Sequence, residues 1–348
     1  MQRPTWLPKT LPELDGLRGL AVLGVVFYHC DPLLADTWIH PATQWGWAGV
    51  NLFFVLSGFL ITSILLDARG KPRYFRNFYV RRILRIWPVY ALVVAVCYWQ
   101  SGWFIDPKVP DQIRSPFWPG YIFFTQNLFR VTLPASLVPT WSLAIEQQYY
   151  LFWAPLVRFL RRPWMLATFL FAALAGTALL RQAHLAWITP LNTLINLDGI
   201  AIGSLLALGL YTLALSRRTW LLLGLVSFAL GMGAAFTVAG GTVYLNTALA
   251  TGFAGAVLAA MASTGARNPV NVLLRRGPLA FYGRISYGLY MIHIMSFIFI
   301  GWFDLWMVRY GMAGNLAVVA ARFAVSTALA AAMWYGFESQ ILKLKRYF

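Results

Sequence analysis

The chain has 348 residues, 59% of them hydrophobic and 11% charged, with a formal net charge of +17 and a mean hydropathy of +0.64. A soluble domain is about 25% charged, and a soluble chain of this length would need a charged skin around two cores. Its 28 Lys+Arg and 11 Asp+Glu cannot make that skin, so lipid must cover most of the surface and the composition reads as an all-α integral membrane protein.

A spanning helix needs about 20 apolar residues to cross roughly 30 Å of hydrocarbon. About ten segments qualify: Gly16–Leu34, Trp47–Leu66, Leu84–Gly102, Thr140–Leu160, Pro163–Arg181, Asn196–Leu215, Thr219–Val238, Val243–Ser263, Ile285–Asp304 and Gly314–Gln340. Phe117–Arg130 is apolar but short and reads as a re-entrant or interfacial piece. No repeat of 20–50 residues is visible. The first fifteen residues lack the apolar core of a signal peptide. Cys30 and Cys97 both lie in apolar segments, which offers neither a disulfide framework nor a metal or redox pair.

The cations sort by side. Clusters at the N-terminus, in the second-to-third connection (Arg69 to Arg85), at Arg158–Arg162, at Arg217 and Arg218, at Arg267–Arg284 and at Lys343–Arg346 place 22 of the 28 on one face. Lys108, Arg114, Arg130, Arg181 and Arg309 fall opposite, and Arg322 lies within the last span. An alternation that follows each proposed crossing is the positive-inside pattern, so both termini are expected in the cytoplasm. Short clusters between apolar spans are not a nucleic-acid face, and no such partner is expected.

Ionisable groups at membrane depth cost about 2.5–3.5 kcal/mol on insertion scales and are functional candidates by default. Arg18 and His29 stand eleven residues apart on the first span. Eleven residues make about three turns, so the two share a face about 16 Å apart, Arg18 at the cytoplasmic mouth and His29 in the outer half. Glu146 lies roughly 10 Å into a descending span, a depth that overlaps that of His29. That overlap makes a carboxylate–imidazole pair across helices geometrically possible. Asp198 is shallower, and His293 is expected in the inner half. Arg81, Arg82 and Arg85 open the third span, Arg81 and Arg85 on one face. Guanidinium groups suit bidentate phosphate recognition better than a simple anchor requires.

Each residue also fits a plainer role. His29 fits a hydrogen-bonded helix contact, Glu146 a partner for a nearby arginine or tyrosine, and the arginines an inner-leaflet anchor. Asp198, His293 and Arg322 fit packing or ion pairing, and Asn51–Ile61 fits close helix contact through small residues. No phosphate loop, zinc-protease motif or nucleophile elbow is present, and four histidines without clustered carboxylates argue against a metal site.

These residues resemble the membrane acyltransferase 3 family of bacterial polysaccharide and macrolide O-acyltransferases, over nearly the whole chain. Leu14-Asp-Gly-Leu-Arg-Gly-Leu20 through His29 resembles the family's arginine, ten residues, histidine motif, and Gly49–Thr62 its second-span signature. Arg81-Arg82-x-x-Arg85 before Trp87-Pro88 is similar to its cytoplasmic arginine motif. Thr140–Phe152 carries Ser142 and Glu146 in the serine, three residues, glutamate pattern, and Ile285–His293 resembles the ninth-span pattern. Two positions depart. Asn196 stands where members often have arginine, which leaves Asp198 without that partner, and no proline follows Phe337-Glu-Ser-Gln340.

The resemblance implies one transferase domain over 1–348 with no appended soluble domain, in a bacterial inner membrane. It would move an acyl group, acetyl first, from acyl-CoA as substrate to a hydroxyl, on a carbohydrate, with no permanently bound cofactor. His29 would be the general base, with an acyl-histidine intermediate as the variant, and Glu146 would orient it. Arg18, Arg81, Arg82 and Arg85 would hold the donor, while Trp141, Ser142, Asp198, Tyr290 and His293 would contact substrate. From another class, a proton-coupled transporter or flippase with His29 and Glu146 as relay is the alternative, although it expects internal repeats.

Overall fold

The computed structural model describes residues 3–8, 10–100, 118–128, 134–238, 243–266 and 268–348. Lys9, Lys108, Arg114, Arg130 and Arg267 lie outside them, as do both ends of Phe117–Arg130, whose described part carries the short helix Trp118–Phe123. Among the described residues the chain is helical with no strand. That is what a lipid environment imposes, because backbone groups there must be satisfied within their own segment.

Ten helices of fifteen residues or more form the body. They are α1 (Pro12–Tyr28), α2 (Gly49–Ala68), α3 (Tyr74–Gln100), α4 (Thr140–Phe159), α5 (Pro163–Gln182), α6 (Asp198–Thr212), α7 (Arg217–Thr237), α8 (Leu245–Ala262), α9 (Pro278–Phe299) and α10 (Gly311–Met333). Each overlaps one expected segment. By length and composition five stretches are apolar enough to cross a membrane: His40–Ala68, Pro163–Gln182, Arg217–Thr237, Leu245–Ala262 and Gly301–Tyr347. The helices outside that set include α1, α3, α4 and α9, which carry the polar groups of the interior.

α2 is central, packed on α1, α4, α6 and α8, while α9 lies between α1 and α10 and also touches α3. Glycines set the closest approaches. A Cβ on Gly283 of α9 would lie 1.8 Å from the Asp15 carbonyl oxygen of α1, and one on Gly19 would lie 2.1 Å from the Leu279 oxygen. Small residues at such crossings let backbones touch, and here they bind α1 to α9.

Helix ends shift two expectations. Pro12 occupies the first turn of α1, with Glu13 and Asp15 beside the helix N-terminus. The helix stops at Tyr28, six residues before the expected Leu34, where Asp31-Pro32 turns the chain into a short 3₁₀ turn. α9 begins at Pro278, after Gly277 at φ 76°, and not at Ile285. His293 is therefore fifteen residues from the start of its helix, about 22 Å along the axis. It stands level with His29, 3.3 Å from its ring, and not in the opposite half where it was expected.

Candidate functional site

Two cavities follow one another along α1. The one at the Arg18 end, termed inner after the side expected from the sequence, is about 230 Å³ and is lined by Arg18, Arg82, Arg85 and Lys345 against a single carboxylate, Glu146. Arg18 donates to Asp15 at 2.8 Å. Among the described residues no protein hydrogen bond holds the side chains of Arg82, Arg85 or Lys345, and the Arg82 Nε is buried without a partner. A buried guanidinium N–H left unpaired carries its full desolvation cost. Four cations around one small space raise the positive potential there, which favours an anionic occupant. Arg81 is exposed and outside this lining; the helix turns Arg82 and Arg85 inward instead.

Glu146 belongs to this inner cavity. It accepts from the Ser57 hydroxyl at 2.6 Å and from the Tyr150 hydroxyl at 3.0 Å. The expected pairing with His29 is therefore not what the fold builds. Ser142 and Glu146, one turn apart on α4, both face inward, and Ser142 Oγ lies 2.7 Å from the Tyr290 hydroxyl. The adjacent Trp141 faces the other cavity.

The outer cavity, about 380 Å³, is lined by His29, His293, Trp47, Trp141, Asn51, Asn196 and Asn246 among others. Phe54 and Tyr290 line both cavities. The two spaces abut at these rings, braced by the edge contacts Phe54–Trp141 (6.0 Å) and Phe53–Tyr290 (5.8 Å).

His29 caps the C-terminus of α1, and its ring folds back so that Nδ1 is 2.9 Å from the Val25 carbonyl. His293 is fully buried, its Nδ1 2.8 Å from the Tyr290 carbonyl and its Nε2 3.3 Å from His29 Nδ1. Carbonyl oxygens only accept, so each Nδ1 must carry the proton. His29 N–H is then shared between the Val25 oxygen and the His293 Nε2 lone pair. In this tautomer the Nε2 of His29 carries no proton.

Asp198 stands apart from both cavities. It is 2% exposed and held by Arg181 at 2.9 and 3.1 Å, with Thr247 donating at 2.9 Å. The partner expected to be lost at Asn196 is supplied by the last turn of α5, so its carboxylate is consumed in structure. Arg322 likewise pairs with Asp304 at 2.6 Å and lies 4.8 Å over the Phe297 ring. Sequence reasoning missed Lys345, Ser57, Tyr150 and the outer asparagines. Lys345 read as one more topology charge, and Ser57 as a small packing residue.

The sequence profile of the acyltransferase domain family matches residues 11–335, which include every named lining residue of both cavities except Lys345. The chain belongs to that family. Within it, peptidoglycan O-acetyltransferase OatA of Listeria monocytogenes is 37% identical over 168 residues, 44% of this chain and 25% of the relative. The putative peptidoglycan O-acetyltransferase YrhL of Bacillus subtilis is 39% identical over 163 residues, 44% of this chain and 24% of the relative. O-acetyltransferase OatA of Staphylococcus aureus is 34% identical over 162 residues, 44% of this chain and 26% of the relative. The matched part is thus about a quarter of the length of these acyltransferase-domain relatives. No solved structure matches the chain.

Proposed function

We propose that the chain is a membrane O-acyltransferase that moves an acyl group, acetyl first, from acyl-CoA to a hydroxyl of a carbohydrate. The observation that carries this reading is the abutment of a polycationic cavity and a histidine-lined one across Phe54 and Tyr290. Family membership supports acyl transfer, and relatives named as peptidoglycan O-acetyltransferases support a glycan acceptor. Ten helices over the ten apolar segments, with 22 cations on one side, support ten crossings with cytoplasmic termini in a bacterial inner membrane.

In this reading the CoA phosphates rest on Arg82, Arg85 and Lys345, with Arg18 beside them and Arg81 at the rim. The pantetheine arm runs along α1 and carries the thioester past Ser142, Tyr290 and Phe54 to His29. The acceptor enters the outer cavity alongside Trp141. Nε2 of His29 takes the hydroxyl proton as the oxygen attacks the thioester carbonyl. The carbon–sulfur bond then breaks, and the imidazolium returns the proton to the leaving thiolate, giving an ester and free CoA. A positioned base of this kind contributes about 10²–10⁴-fold. His293 does the orienting that Glu146 was expected to do: its Nε2 and the Val25 carbonyl receive the His29 N–H as charge develops. Glu146 instead holds Ser57 and Tyr150 in place among the arginines.

The test is thiol release and ester formation by the purified protein in lipid nanodiscs, given acetyl-CoA and a glycan acceptor. Both products in equal amounts are expected. A transporter would consume no thioester, and that result would end the proposal.

A further inference from the structure

The outer cavity contains a polar pair that neither the base nor the donor explains. Asn51 opens α2 and Asn246 opens α8, and the Asn51 amide donates to the Asn246 oxygen at 3.4 Å. Among the described residues neither side chain has any other hydrogen bond. One carbonyl oxygen and one NH₂ group are therefore left open at the cavity. Turning both amides over exchanges the residues that offer them but leaves the same two groups. Asn51 is buried, and the amide groups that this one bond leaves open favour an occupant that supplies partners.

The third amide is different. Asn196 spends its NH₂ on the carbonyls of Pro190 and Asn192, both at 2.9 Å, which leaves only an acceptor. Trp47 and Trp141 form flat apolar walls of the same space. A site with few placed polar groups in an aromatic cavity orients its ligand through those groups.

We propose that the Asn51–Asn246 pair is a subsite for two neighbouring hydroxyls of a pyranose, which sets the acceptor as a sugar ring and presents a third hydroxyl to His29. A hydroxyl both donates and accepts. One hydroxyl gives its hydrogen to the open amide oxygen, and its neighbour accepts from the open NH₂. The ring's C–H face lies against tryptophan. The proposal rests on the acyltransferase reading, since it names the acceptor of that same site.

The experiment offers the nanodisc protein acetyl-CoA with methyl glucoside, galactoside, mannoside or N-acetylglucosaminide, and with cyclohexanol as a ring of similar shape lacking the extra hydroxyls. Mass spectrometry reads ester formation. At least one pyranoside is expected to exceed cyclohexanol in kcat/KM by about tenfold or more, because a site built to bind hydroxyls penalises an occupant without them. Asn246→Leu and Asn51→Ser should each erase about tenfold of that preference through acceptor KM, with acetyl-CoA affinity unchanged and reporting an intact fold. Equal use of cyclohexanol and every pyranoside would overturn the proposal, and needs no variant. Preference surviving in variants that bind acetyl-CoA normally would overturn it too. No thiol release from acetyl-CoA with any of these acceptors would instead defeat the acyltransferase reading beneath it.

Discussion

His293 offers the sharpest perturbation, because its two ring nitrogens have separable jobs. Nδ1 donates to the Tyr290 carbonyl, and Nε2 accepts from His29 at 3.3 Å. Replacement by leucine removes both. Replacement by asparagine keeps a donor near Nδ1 and removes the acceptor; replacement by glutamine places an amide oxygen near the old Nε2. When His29 takes a proton its N–H belongs to a cation, and a hydrogen bond to a charged group is worth about 1.5–3 kcal/mol. The 3.3 Å contact is long and shared with Val25, so the lower end applies, about tenfold in rate. We expect His293→Leu and His293→Asn to lower kcat about tenfold or more, and His293→Gln to recover most of it. Acetyl-CoA KM should stay constant, because His293 does not line the inner cavity. Steady-state thiol release in nanodiscs, with thermal unfolding as the check on folding, separates these outcomes. If Gln and Leu were equally impaired, packing alone would explain His293, and the orienting role would be wrong.

Further outcomes follow from the same geometry. Arg82→Ala should weaken acetyl-CoA binding in calorimetric titration by about 10–100-fold, the worth of a charge-assisted hydrogen bond. Arg82→Lys should restore only part, since it lacks the planar fork; unchanged affinity would return the cluster to anchoring. Gly283→Val should cost about 3 kcal/mol or more by forcing α1 from α9, seen as lost folded protein in size-exclusion chromatography. Gly70→Ala, with nothing within 4 Å, should be silent. Asp198→Ala leaves the largely buried Arg181 guanidinium with only the Ile195 and Val243 carbonyls and no carboxylate, which costs about 3 kcal/mol. The pair Asp198→Ala with Arg181→Met should regain stability in thermal unfolding, and kcat measured well below the transition should move little in either.

Much of the arrangement was legible because helices are regular. A separation of eleven positions from Arg18 to His29 places one at each cavity, as the rise per residue requires. Depth was less informative than it looked. Glu146 shares its depth with His29, but depth carries no rotation about α4, and the turn that sends Trp141 outward sends Ser142 and Glu146 inward. His293 was misplaced in height because the positive-φ Gly277 followed by Pro278 starts α9 seven residues early. Arg181 was invisible as the partner of Asp198 because the two meet across a turn, and a topology count treats Arg181 only as a charge on one side. Lys345 was hidden similarly: its return to the cavity of Arg82 and Arg85 depends on where α10 ends.

The most direct test of the central claim is acetyl transfer by His29→Ala in nanodiscs, with acetyl-CoA binding measured on the same sample. The account predicts normal donor affinity with transfer reduced by about 10²–10⁴-fold. Full donor affinity together with transfer at the unaltered rate would contradict it, since the account gives the hydroxyl proton to the Nε2 of His29.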